Sequence, residues 1–216
     1  MDAFIFDFDG VIVDSERHWG PFLTALLSPV IPGFTREVEM QFKGRNMRDT
    51  YAILRDEWGL PWTEEDFRDR IDVRIDDVYG KDCVLLPGIP ELLKSLRGAG
   101  IPIGIASSSR RPWIEKAIKR LGIDEFFVAM MTGDDVAHAK PDPEVFLKAA
   151  AALGAKPERC VAIEDSKNGA LSAKAAGMVC IGLHTDMNHE QDLSMTDVIV
   201  EDLFVLDAET IKKMIA

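Results

Sequence analysis

The stretch Ala3-Phe4-Ile5-Phe6-Asp7-Phe8-Asp9-Gly10 decides the fold. A short apolar run with no charge until its end predicts a strand buried on both faces. Two carboxylates, at positions i and i+2, close it before a glycine. Neither has a cation beside it, and burying unpaired acids is costly. A divalent cation would relieve their repulsion, and Mg2+ takes a few carboxylates together with waters and a phosphate. A strand fraying into an acidic turn would leave the same trace, so the pair needs company before it implies a function. An EF-hand loop does not fit, because Ile12 and Val13 follow where more oxygen ligands are needed.

Outward from this strand, further apolar runs recur at Ile101–Ala106, Phe127–Met131, Val161–Ile163, Val179–Leu183 and Val198–Val200. Helical patterns separate them. Ile89–Leu96 stops before Gly98 and Gly100, Trp113–Leu121 at Gly122, and Gly169–Ala176 at Gly177. Pro143–Leu153 has Asp142 as its expected N-cap and Gly154 as its stop, and Asp207 is the expected N-cap of a last helix. The alternation predicts a Rossmann-like α/β core, a parallel sheet with helices on both faces. From about Asp14 to Lys81 the rhythm breaks and only helices are expected. Thr63-Glu64-Glu65-Asp66 resembles a capping box, followed by Phe67, Ile71, Ile75 and Val78 at helical spacing. The expected organisation is therefore a core of residues 1–14 and 82–216, interrupted by an all-helical cap of residues 15–81. Such an insert would overhang the carboxyl ends of the strands, where open parallel sheets bind ligands.

Three more segments end strands with chemistry. Glu164-Asp165-Ser166 closes Val161–Ile163, Ser107-Ser108-Ser109 closes Ile101–Ala106, and Lys140-Pro141-Asp142-Pro143 follows the run Phe127–Met131. Alone, the acids are ordinary at a helix start, the serines are an ordinary N-cap, and a lone lysine is ordinarily solvated. Together they supply acids, hydroxyls and a cation in the mixture that phosphoryl transfer with a metal requires.

The composition fits that reading. The 216 residues hold 37 acids against 25 Lys and Arg, a net charge of -12 that repels nucleic acid and anionic membranes. No apolar run is long enough to span a bilayer, and Asp2, Asp7 and Asp9 stand where an export signal needs positive charge. Cys83, Cys160 and Cys180 form no paired or zinc-like spacing. The expectation is a cytoplasmic protein, monomer or small homo-oligomer, whose partner is a small phosphorylated metabolite.

The set Asp7-Phe8-Asp9-Gly10-Val11, Ser107, Lys140-Pro141 and Glu164-Asp165 resembles the four motifs of the haloacid dehalogenase superfamily. Asp14-Ser15-Glu16, Leu86-Pro87-Gly88 and Lys140-Pro141-Asp142-Pro143 resemble its helical-cap subgroup, which holds phosphoglycolate phosphatases, sugar-phosphate phosphatases and β-phosphoglucomutases. The resemblance implies that Asp7 is the nucleophile and forms an aspartyl phosphate, and that Asp9 is the general acid and then base. It implies Mg2+ held by Asp7, the Asp9 backbone carbonyl and Asp165, with Glu164 close by, and phosphoryl oxygens held by Ser107 and Lys140.

The insert contributes Met40-Gln41-Phe42-Lys43-Gly44-Arg45-Asn46-Met47-Arg48, with three cations and no acid in an acidic chain. Lys43, Gly44, Arg45 and Arg48 are expected to line the substrate site, joined by Ser108 and by His18 near the hinge. The leading reading is a Mg2+-dependent phosphatase of a sugar phosphate. The alternative is a β-phosphoglucomutase, but the mutases this chain resembles usually carry a cap histidine at the position of Trp19, and His18 is one place off. A 2-haloacid dehalogenase would need neither Asp9 nor Asp165, a phosphonatase would need more than Lys43, and a receiver domain would leave the insert unexplained.

Overall fold

The computed structural model describes residues 1–214. The first strand, β1 (Ala3–Phe6), enters a run of helices: α1 (Glu16–Leu27), α2 (Arg36–Glu39), α3 (Met47–Asp56), α4 (Glu64–Asp72) and α5 (Ile75–Asp77), closed by a π-type turn at Val78–Asp82. Then follow α6 (Ile89–Gly98), β2 (Ile103–Ala106), α7 (Arg111–Leu121), β3 (Ala129–Met131) and α8 (Glu144–Ala152). The chain finishes with β4 (Cys160–Glu164), α9 (Lys167–Ala175), β5 (Val179–Leu183), β6 (Val198–Val200) and α10 (Ala208–Met214). Between β1 and α6 the elements are helices and turns.

Among the described residues six strands form one sheet, all parallel, in the order β3-β2-β1-β4-β5-β6. Alternation along each strand divides the core. Phe4 and Phe6 join Ile103, Ile105, Val161 and Ile163 in a cluster covered by α6, α7 and α10. Ala3, Ile5, Ala162 and Cys180 face the other way, against Val145, Phe146 and Ala149 of α8 and Ala170 and Ala173 of α9. The sheet thus has helices on both faces. Each fully buried phenylalanine on β1 contributes about 1.5–3 kcal/mol relative to exposure, so the strand carrying Asp7 is among the best-anchored in the fold.

Local signals behave as their chemistry requires. Thr63 and Asp66 form the reciprocal capping box, with Thr63 Oγ1 accepting from the Asp66 amide at 3.1 Å. Asp207 accepts from the Thr210 amide at 2.7 Å and starts α10. α8 starts one residue later than expected, at Glu144, whose amide donates to Asp142 Oδ1 at 2.9 Å. β1 stops at Phe6, because the chain turns out of the sheet at the acidic pair. The three cysteines are free and buried. Among the described residues, no helix is long and apolar enough to cross a membrane.

Candidate active site

The strand order reverses between β1 and β4, and their carboxyl ends open a crevice. Asp7 stands at that end of β1, its amide bonded to the Ile163 carbonyl at 3.0 Å. From the loop before α8, Lys140 reaches under it. Its Nζ donates to Asp7 Oδ1 at 2.6 Å, Glu164 Oε1 at 2.6 Å and the Ala106 carbonyl at 3.0 Å. An ammonium has three protons, so all are spent on the protein. The Phe146 ring, 4.9 Å away, closes the remaining side. Burial opposes the Lys140 charge, yet the Asp7 and Glu164 carboxylates outweigh it and hold the pKa above the ordinary lysine value. In this arrangement Lys140 is the counter-ion of Asp7, with no proton left over for a phosphoryl oxygen.

Asp9 faces away from that pair. Its Oδ1 accepts from Ser15 Oγ at 2.5 Å and Tyr79 Oη at 2.8 Å, and its Oδ2 from Ser109 Oγ at 2.6 Å. Trp19 Nε1 donates to Tyr79 Oη at 2.9 Å. Burial, then the Asp9 charge, push the Tyr79 phenol well above its ordinary value, so it stays a donor. Gly10 has φ +81°, and a Cβ there would lie 2.1 Å from Asp165 Oδ2. Glycine is what lets the two acidic loops close on each other.

Asp7, Glu164 and Asp165 are buried with one carboxylate oxygen each inside a 4.8 Å cluster. Glu164 is heavily engaged: Oε2 accepts from the Asp165 amide at 3.1 Å and from Ser166 Oγ at 3.1 Å, while Oε1 serves Lys140. Asp165 Oδ2 is buried with no hydrogen-bond partner. Burial first, then Glu164, push the Asp7 carboxyl well above the carboxylate range. Burial likewise lifts Asp165 to about 7, Lys43 pulling it down and Glu16 up. Three buried carboxylates with one oxygen each inside 4.8 Å are a donor set that fits a hard divalent cation. Asp7 and Asp165 would hold it, with Glu164 bracing both from behind.

The opposite wall comes from the insert. Asp7, Asp9, Ser107, Ser108, Ser109 and Asp165 share one cavity with Glu16, Trp19, Glu39, Lys43, Gly44 and Arg45. Lys43 is buried, and its Nζ lies 2.7 Å from Asp165 Oδ2 and 4.0 Å from Glu16 Oε2. The ammonium has no aligned hydrogen bond despite that proximity. Ser107 Oγ accepts from the Ser109 amide at 3.0 Å, and Ser108 Oγ donates to the Gly44 carbonyl at 2.7 Å. Phe67 and Ile71, read as the insert's core stripe, also face this cavity.

Two expected substrate residues fall outside it. His18 does not line the cavity; its neighbour Trp19 does, because one step along α1 rotates a side chain by about 100°. Arg48 is exposed and donates to the Ala137 carbonyl at 2.7 Å, in a separate groove. It sits on the first turn of α3, which points it past the cavity that Arg45 enters. Tyr79, Ser109 and Ser15 were missed as partners of Asp9. Ser109 had a signal, since it belongs to the serine run, whereas Tyr79 lies 70 residues from Asp9 and had none.

A model of the haloacid dehalogenase-like hydrolases matches residues 4–183. The chain belongs to this family. It is 33% identical over 192 residues to a β-phosphoglucomutase of Bacillus subtilis, covering 85% of this chain and 83% of that protein. It is 29% identical over 178 residues to a phosphorylated carbohydrates phosphatase of Thermotoga maritima, covering 82% of each. The crystal structure of a β-phosphoglucomutase from Clostridium difficile superimposes with a TM-score of 0.82 at 27% identity, covering 100% of this chain and 97% of that one. The chain is an enzyme, and the hydrolase family together with the relatives named phosphatases fits a phosphoric monoester hydrolase.

Proposed function

We propose that this enzyme is a Mg2+-dependent phosphatase of a phosphorylated sugar or sugar alcohol, working through an aspartyl phosphate on Asp7. The observation that carries the reading is the Asp7 carboxylate, fixed at a strand end by Lys140 and open to a cavity roofed by the insert. Asp7 Oδ2, the oxygen not held by Lys140, would attack phosphorus in line with the leaving oxygen. The cation, when bound, would neutralise charge on the transferring phosphoryl group. Asp9 would exchange its hydroxyl partners for the leaving oxygen and give it a proton, then take one from the water that hydrolyses the acyl phosphate. Ser107 would hold a phosphoryl oxygen by its hydroxyl. Residues 15–81 would act as the cap that keeps bulk water out, over a core of residues 1–14 and 82–216.

A mutase would need a cap group to manage the sugar hydroxyl that receives the phosphoryl group. The position where a histidine is usual in such enzymes holds Trp19, whose N–H is committed to Tyr79, and His18 lies outside the cavity. This favours hydrolysis. The test is phosphate release from a panel of phosphorylated sugars, polyols and small acids with and without Mg2+. Phosphate release from hexose or hexitol phosphates, abolished by EDTA, is the expected result. β-Glucose 1-phosphate with a trace of glucose 1,6-bisphosphate, converted to glucose 6-phosphate without free phosphate, would favour the mutase instead. Turnover that survives EDTA would overturn the metal dependence.

A further inference from the structure

The turn Lys43–Asn46 is held against the core from two sides. Asn168 Nδ2, on the first turn of α9, donates to the Lys43 carbonyl at 2.9 Å. Ser108 Oγ, after β2, donates to the Gly44 carbonyl at 2.7 Å. These two anchors stand at the ends of different strands, on either side of Asp7, and they grip consecutive carbonyls of one turn. Gly44 has φ +78°, and a Cβ there would lie 2.6 Å from Ser166 Oγ, so the turn presses directly on the core. What the turn carries inward is the Lys43 ammonium, 2.7 Å from Asp165. In a chain of net charge -12, delivery of that cation is a notable local event.

We propose that Asn168 and Ser108 are positioning residues that clamp the Lys43–Gly44 turn shut over the site, and that the clamp sets when Lys43 is present at the reacting centre. The proposal rests on the phosphatase reading for its kinetic consequence but not for its structural one. Asn168 does not line the cavity, so an effect of changing it cannot come from a lost substrate contact. Its partner is a backbone carbonyl, so the grip depends on the turn's shape and not on the side chain at 43. Loss of one such bond shifts an opening equilibrium by roughly 2- to 12-fold.

The test uses Asn168→Ala in the full chain. Asn168 is half-buried on a helix turn where alanine is well tolerated, so folding is expected to survive. Hydrogen exchange of the Met40–Met47 peptide, measured without substrate, should quicken by roughly 2- to 12-fold. KM for the best sugar phosphate should rise by a similar factor, with kcat changed less. Ser108→Ala should do the same to exchange, and the double variant should exceed either. Unchanged exchange in both single variants, or a loss confined to kcat, would overturn the clamp. Because exchange is read without turnover, it judges the clamp even if no ester is hydrolysed, the result that would sink the phosphatase reading.

Discussion

Two buried lysines approach the same acidic cluster from opposite sides, and they are held very differently. Lys140 comes from the core with three hydrogen bonds of 2.6–3.0 Å and an aromatic ring behind it. Lys43 comes from the insert, just as buried, with close carboxylates and no aligned hydrogen bond. Burial works against both charges, and the neighbouring acids keep both pKa values above the ordinary one. The difference is one of preorganisation. The Lys140 side is satisfied as it stands, whereas Lys43 meets Asp165 as a charge pair without an aligned hydrogen bond. The proposed phosphoryl transfer would need both properties, a fixed nucleophile and a movable roof.

The sharpest way to break this picture is at the floor. Asp7→Asn should cut phosphate release from p-nitrophenyl phosphate by roughly 10^4-fold or more, and full turnover in that variant would exclude the mechanism. Lys140→Met strands two buried acids, Asp7 and Glu164, and should cost about 3–5 kcal/mol in a urea unfolding curve. A loss under about 1 kcal/mol there would show that the floor is not the rigid partner of the pair.

The cation offers a gentler probe. Asp165 has an ordinary value of 3.8 when unfolded and about 7 when folded. Between those values the native state binds more protons than the unfolded one. Metal-free protein should therefore lose stability as pH rises from about 4 to 7, with Asp7 acting in the same direction. Mg2+ at 100 times its Kd should restore about 2.7 kcal/mol at pH 7.5. A metal-free melting temperature that climbs through this range would contradict the assignment.

On the roof the effects should be smaller. Arg45→Ala removes a guanidinium from the cavity and should raise KM about tenfold, while Arg48→Ala should leave kcat/KM within about twofold. Equal effects would mean that the two arginines share one site after all. Lys43→Met should cost least in stability, about 1 kcal/mol, because Asp165 can take up a proton near neutral pH instead of standing as a bare charge. A cost near that of Lys140→Met would erase the contrast between the two lysines.

Much was legible along the chain because it depends on short-range chemistry. Apolar runs broken by glycine and proline mark the strands and helix ends, and the Thr63–Asp66 box forms from residues three apart. The acids Asp7, Asp9, Glu164 and Asp165 stand out because carboxylates at the end of an apolar strand need a reason. Side-chain direction was less legible. His18 and Trp19 are adjacent in sequence, yet helix rotation puts only Trp19 in the cavity. Arg45 and Arg48 part company where the turn becomes α3.

The sequence by itself determined the parallel sheet, the helical insert and the four strand-end motifs, since periodicity and buried charge constrain each locally. Only the tertiary structure decided what those groups do to one another. It turned Asp9 toward Ser15, Tyr79 and Ser109, used every Lys140 proton inside the core, and brought Lys43 within 2.7 Å of Asp165. These partners lie between 6 and 133 residues apart in the chain. No local pattern encodes such pairings. They arise where parallel strands bring distant loops to one edge of the sheet, beside the helices that follow β1.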